Sequence, residues 1–194
     1  MMGEKADGGT QIILETERLY LREIIRSDFP ALCCVLQDAE VMCAYEHAFN
    51  DTEVWEWLYK QQERYRKDGF GLWAAVLKES EAVIGQCGLT TQGWKGLKVP
   101  EIGYLFEKNH WHRGYATEAA IACKKYAFRD LNAEEVFSFI RDSNIPSQNV
   151  AKRNGMEMRG QIVKRDRYRV SRLIFSAKKR DMQPTPWNNL PPLL

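Results

Sequence analysis

Apolar and polar positions alternate through ERLYLREI, with Leu19 and Leu21 on one side, and this period of two predicts a strand. The period then lengthens. Ser27 is placed to cap a helix that tolerates Pro30 in its first turn, where a missing N–H costs no intrahelical bond. That helix extends through PALCCVLQDAEVM. Asn50 and Glu53 have the reciprocal spacing of a capping box, so TEVWEWLYKQQERYRKDG reads as a second helix, stopped by Gly69. FGLWAAVLK and AVIGQCGLTT are apolar runs joined by a short polar turn at residues 78–81, which predicts a hairpin. QGWKGLKVP reads as a loop, and EIGYLFE as a further strand.

From about Thr117 a helix gathers Ala120, Cys123, Ala127 and Leu131 into one stripe, flanked by Ile121 and Phe128. EEVFSFI is a strand, and NIPSQNVAKRNG a short helix with a cap residue in front and Gly155 behind. Two last strands lie near residues 156–163 and 168–177, carrying Ile162, Val163, Val170, Leu173 and Phe175. The predicted order is β-α-α-β-β-β-α-β-α-β-β, one mixed α/β (α+β) domain over residues 13–180. Residues 1–12, polar and glycine-rich, are expected to form a flexible tail. Residues 181–194, rich in proline, are expected to lack regular structure.

Composition narrows the class. The 194 residues suit one domain with a real core, and 44% hydrophobic against 28% charged content is that of a globular protein. The five cysteines form no CxxC pair, which favours reduced thiols in a cytoplasmic protein over a disulfide framework. MMGEKADGGT has no apolar signal core, and no run approaches the roughly 20 apolar residues of a membrane span.

The chemistry concentrates at residues 112–117. A strand that ends in a loop and resumes as a helix presents free N–H groups, which together with the helix dipole favour an anion. Gly114 permits positive φ and leaves room for a phosphate, Arg113 adds a forked charge, and Ala116 and Thr117 keep the helix entrance open. The plainer reading is a glycine that merely permits a turn. Neither GxxxxGK followed by Ser or Thr, nor a GxGxxG opening a helix, is present.

PEIGYLFEKNHWHRGYATEAA, followed by NIPSQNVAKRNGM, resembles the GNAT superfamily of acyl-CoA-dependent N-acetyltransferases over roughly residues 15–177. Within it, the chain is most similar to the branch that acetylates the N-terminal alanine or serine of ribosomal proteins. The resemblance implies a mixed, mostly antiparallel central sheet flanked by helices, with acetyl-CoA as co-substrate and no metal. The superfamily's diphosphate loop (Gln or Arg, two variable residues, Gly, one variable residue, Gly or Ala) falls on Trp111, His112, Arg113, Gly114, Tyr115 and Ala116. Trp111 departs from the first slot, although an aromatic residue is common there in this branch. By resemblance, residues 112–117 wrap the diphosphate, and Tyr104, Leu105 and Phe106 pair their backbone with the pantetheine arm. Asn144 contacts that arm, and Lys152 reaches a coenzyme phosphate.

Acyl transfer to an amine needs a base, a donor for the oxyanion and an acid for the departing sulfur. Glu101 is the candidate base, working through water; its plainer reading is a solvated carboxylate at a strand end. A backbone N–H on the strand at 104–106 is the candidate oxyanion donor. The tyrosine that many superfamily members use as acid falls on Ala151, so that acid is absent. Ser147 fits the serine that the ribosomal-protein branch offers instead; its plainer role is a helix N-cap.

Other features weigh less. His110 and His112 lack the further ligands a metal needs. Trp55, with Leu58 and Tyr65, is an expected core residue of the second helix; in the fold that the resemblance implies, the first two helices and the loop near 93–99 help wall the acceptor site, so Trp55 and Trp94 are candidates for substrate contact. Residues 152–180 hold eleven Lys or Arg against two acids, either a solvated basic face or a surface for weak contact with RNA. Three functions remain open: acetylation of a protein N-terminus, acetylation of a small amine (polyamine, amino acid or aminoglycoside), or a CoA-binding module without turnover. A homodimer is compatible with each, and none needs a membrane.

Overall fold

Leu19 and Leu21 are fully buried in a strand, β2 (Leu19–Arg22), but that strand is not the first. A short β1 (Ile12–Glu15) pairs with it antiparallel, so the chain opens with a strand pair where a single strand was expected. The computed structural model describes residues 11–165 and 169–181. The expected tails therefore lie outside the described residues at 1–10 and 182–194, as do residues 166–168 of the basic stretch.

Helix α1 (Phe29–Leu36) starts one residue later than expected, after Asp28 rather than Ser27. The Asp28 carboxylate accepts from Ile25 N–H at 2.8 Å and from both Arg22 guanidinium nitrogens at 2.7 Å, tying this turn to β2. The helix also ends earlier than expected. Asp38 accepts from the amides of Glu40 and Val41, which turns the chain into a separate 3₁₀ turn at Val41–Ala44. Helix α2 (Asp51–Asp68) shows the predicted box: Glu53 N–H donates to Asn50 Oδ1 at 3.0 Å and Asn50 N–H to Glu53 Oε2 at 2.9 Å. Gly69 ends it at φ 78°.

Strands β3 (Leu72–Leu77), β4 (Val83–Trp94) and β5 (Leu97–Phe106) follow as an antiparallel meander. The stretch read as a loop at 92–100 is instead the end of a long hairpin. Its two connecting residues, Lys95 (φ 50°) and Gly96 (φ 78°), both have positive φ, as a tight hairpin turn of matching twist requires. Then come α3 (Tyr115–Arg129), β6 (Glu135–Arg141), α4 (Ile145–Arg153), β7 (Glu157–Arg165) and β8 (Arg169–Lys178).

The eight strands form one sheet in the order β1-β2-β3-β4-β5-β6-β8-β7, antiparallel except where β6 lies parallel to β5. Helices cover both faces. Ala119, Ala120, Cys123, Ala127 and Phe128 of α3 and Val150 and Ala151 of α4 pack on Ile102 and Phe106. On the other face, Leu32 and Leu36 of α1 and Val54 and Leu58 of α2 cover Ala74 and Val76. Small residues bring α3 so close to the sheet that the thiols of Cys123 and Cys87 lie 3.6 Å apart, and all five cysteines are free. No described helix is long and apolar enough to cross a membrane.

Candidate active site

Two places depart from the regular pattern of this sheet and its helices, and they adjoin. The first is the start of α3. Gly114 precedes it at φ 83°, and His112 also has positive φ, at 59°. No side chain caps this helix. Among the described residues, the N–H groups of residues 112–117 find no acceptor, while the opposite side of the loop is held firmly. Arg18 Nη1 donates to the Arg113 carbonyl at 2.9 Å, and its guanidinium lies 4.5 Å from the Tyr115 ring centre. Glu118, in the first turn, accepts from Thr16 Oγ1 (2.6 Å), Arg18 N–H (2.8 Å) and Arg18 Nε (2.7 Å). The result is a fixed concave set of unspent donors at a helix N-terminus, suited to an anion. Gly114 is needed here for its φ; an added Cβ would come only into ordinary contact with the Arg18 guanidinium, at 3.4 Å.

The second departure is the seam between β5 and β6. While β5 pairs with β4 along its whole length, its register with β6 is the single pair Glu101–Phe137. Beyond that pair, side chains replace the ladder. Ser138 Oγ donates to the Ile102 carbonyl at 2.9 Å, and Phe139 N–H donates to Glu101 Oε1 at 3.3 Å. The Phe106 carbonyl is taken by the Trp111 indole at 2.8 Å. Backbone groups of alternate residues point to the same edge, so the N–H and C=O of Tyr104 face the open seam. Its hydroxyl crosses toward α4 and donates to the Ser147 carbonyl at 2.8 Å. The seam therefore runs toward the starts of α3 and α4.

Glu101 stands at its inner end, half-buried, with Oε2 accepting from Thr90 Oγ1 at 3.1 Å. Burial pushes its pKa above the ordinary carboxylate value, against the pull of Phe139 N–H, Thr90, Gln92 and the Arg172 charge. Tyr45 lies within reach of that charge: burial, then Glu101, raise its pKa to about 12, with Arg172 and Arg64 opposing. Tyr45 meets Trp57 edge-on at 5.9 Å, and the Trp57 indole donates to Gln86 Oε1 at 2.9 Å.

A family model for the acetyltransferase (GNAT) domain matches residues 18–157. The chain belongs to the GNAT acetyltransferases. It is 35% identical over 144 residues to YkkB of Bacillus subtilis (strain 168), a protein described as uncharacterized, covering 74% of this chain and 84% of that one. Among solved structures, an acetyltransferase from Agrobacterium tumefaciens str. C58 superposes with a TM-score of 0.73 at 27% identity, over 90% of this chain and 99% of the other. The ribosomal-protein-S5-alanine acetyltransferase from Vibrio fischeri shares the fold at a TM-score of 0.70 and 17% identity, over 88% and 98% of the two chains. As a GNAT enzyme the protein is an acetyl-CoA-dependent acetyltransferase. The donors of 112–117 fit the diphosphate of that co-substrate.

The residues singled out in the GNAT sequence motifs divide into those that converge and those that do not. Glu101, Tyr104, Phe106, residues 112–117 and Asn144 line the seam and its mouth, whereas the Leu105 backbone alternates toward β4 and is not open to the arm as expected. Ser147 is not the N-cap of α4; Asn144 is, its Oδ1 accepting from Ser147 N–H at 3.1 Å. Ser147 Oγ makes no hydrogen bond among the described residues. Ala151 is buried against the core. Lys152 is exposed in the last turn of α4. Trp94 meets Phe139 edge-on at 5.9 Å and packs with Val99, Phe137 and Ile174. Trp55 instead stacks on Phe29 at 4.2 Å and on Tyr59, and Trp57 is the tryptophan beside Tyr45. Sequence reading missed Tyr45, Thr90 and Arg172, which only their shared proximity to Glu101 across separate elements marks, and Trp57, which packs against Tyr45. Among the described residues, no three His, Cys, Asp or Glu side chains converge as metal ligands would.

Proposed function

We propose that the protein transfers the acetyl group of acetyl-CoA to an α-amine presented at Glu101. The observation that carries this reading is the open seam, with unspent amides at its mouth and a carboxylate of raised pKa at its inner end. The amides of 112–117 would hold the diphosphate, and the Tyr104 backbone the arm that carries the thioester. Asn144, its Oδ1 engaged in capping, has its amide NH₂ left to meet the arm. Lys152 and Arg113 would supply charge near the phosphates. When bound, the co-substrate supplies an activated acetyl carbon at the seam.

The chain's own part is then proton management and charge stabilisation. Glu101, directly or through a water, takes the proton of the acceptor ammonium. An α-amine has a reference pKa of about 7.7–8.0, far easier to deprotonate than a lysine near ~10.4. The Tyr104 N–H would donate to the oxygen that becomes negative. With Ala151 in the usual tyrosine position, the hydroxyl of Ser147 is the proton source offered to the sulfur. The acceptor wall is formed by Tyr45, Trp57 and Trp94.

The N-terminal amine of a ribosomal protein is one such α-amine, and the name of the Vibrio fischeri neighbour supports it. Exposed Lys152, Arg153, Arg159 and Arg180 would favour contact with nearby RNA. A small amine is the second reading, and the Arg172 charge at Glu101 favours a free amino acid among such amines. Thiol release from acetyl-CoA across an amine panel tests the proposal. Glu101→Gln should cut turnover at neutral pH about 10²–10⁴-fold while CoA still binds. Because the base must be ionised, wild-type turnover should rise with pH through the elevated Glu101 pKa, and the variant should lose that limb. A protein that melts at higher temperature with CoA but releases no thiol with any amine is a binding module instead.

A further inference from the structure

On the acceptor side stand arginines that acetyl transfer does not itself require: Arg172 acts on Glu101, Arg64 acts on Tyr45, and Arg141 is the register partner of Arg172. Arg141 and Arg172 are register partners on β6 and β8, so they stand side by side on one face, an arrangement that like charges disfavour. Arg141 reaches from β6 to the turn that leads into Tyr45, where its Nη1 donates to the Cys43 carbonyl at 3.2 Å. Its Nε is buried and meets no acceptor, and no described carboxylate pairs with it. Arg172 acts on both Glu101 and Tyr45, and Arg64 of α2 acts on Tyr45. A guanidinium presents five donors in a planar fork shaped for a carboxylate, and Arg141 spends one of them on Cys43.

We infer that Arg141, beside the charge of Arg172, forms an anion subsite on the acceptor side, so that the acceptor is an amine bearing a nearby carboxylate. This rests on the transferase reading above and narrows its acceptor. Two sources share the chemistry: the carboxylate of a free amino acid and the side chain of an acidic residue close to a protein N-terminus. Polyamines and aminoglycosides fit poorly, since they bring further positive charge to the arginines. The same field also disfavours a protonated amine, which assists the deprotonation assigned to Glu101.

The test measures kcat/KM, corrected for the fraction of free amine, for two acceptor pairs. One is L-alanine against L-alaninamide; the other is a tetrapeptide with aspartate at its second position against one with asparagine there. The carboxylate member of at least one pair should be preferred about tenfold or more, and the pair that shows it identifies the source. Arg141→Met should raise KM for that acceptor until its kcat/KM matches its neutral partner, and Arg141→Lys should keep part of the preference. An unchanged rise in melting temperature with CoA shows that each variant is folded with its cradle intact. Neutral members used as well as carboxylates, or an equal fall for all four acceptors in Arg141→Met, overturns the subsite alone. Absence of thiol release with every amine overturns the transferase reading and the subsite together.

Discussion

Helices α2 and α3 begin in opposite ways. At α2, Asn50 and Glu53 satisfy each other's amides, so the helix closes its own start. At α3, Gly114 offers no side chain, and the amides of 112–117 stay open. A cap of the first kind is worth about 1 kcal/mol, and α3 forgoes it. Its start is held through acceptors instead: Glu118 takes three bonds from Thr16 and Arg18, and the Arg113 carbonyl takes a fourth. Helix α4 is intermediate, with one amide capped by Asn144. Stability delivered through carboxylate and carbonyl leaves the donors unspent, and that separates a helix that builds the fold from one that also receives a ligand.

The sharpest way to break this contrast is Gly114→Val. A β-branched residue at φ 83° must strain or shift the loop. Strain of about 1–3 kcal/mol should weaken CoA binding roughly 5–150-fold by calorimetric titration. An unchanged Kd would mean that the amides are not the grip.

A smaller effect is expected from Glu118→Gln, about 1–1.5 kcal/mol of stability after allowing for the solvent around Arg18. Burial pushes the Glu118 pKa up, but the bonds from Thr16 and Arg18 and the Arg18 charge outweigh it and hold it below the usual value. Its stabilisation is therefore complete above the unfolded-state pKa and lost as pH falls through the lowered one. In urea melts, the gap between wild type and variant should close in acid. A gap that widens there would reverse the assignment. The smallest effect is Asn50→Ala, about 1 kcal/mol of stability with CoA affinity unchanged, since that helix start serves the fold alone.

Much of this was legible in the chain. The Asn50–Glu53 spacing, the stop at Gly69, the positive φ of Gly114 and the strand spans after residue 134 all follow from local chemistry. What escaped depends on partners. Residues 92–100 mix glycine, lysine and tryptophan without clean alternation, and they become strand because β4 and β5 pair to their ends. Trp55 and Trp57 sit two positions apart, hence on nearly opposite sides of a helix, and the sequence offers apolar neighbours to both. Only the packed structure shows Trp57 turned to Tyr45 and Gln86. Arg141 and Arg172 become neighbours only because β8, and not β7, lies beside β6. No local rule reaches that far.

The lone Glu101–Phe137 pair has a mechanical consequence. It splits the eight-stranded sheet into a panel of five strands and a panel of three, joined at one rung like two shutters on a single hinge pin. A guest chain lying in that gap would act as the missing rungs. Deuterium uptake at the Tyr104 amide should then slow when CoA is added, while uptake across β3 and β4, already laced on both sides, should hardly change.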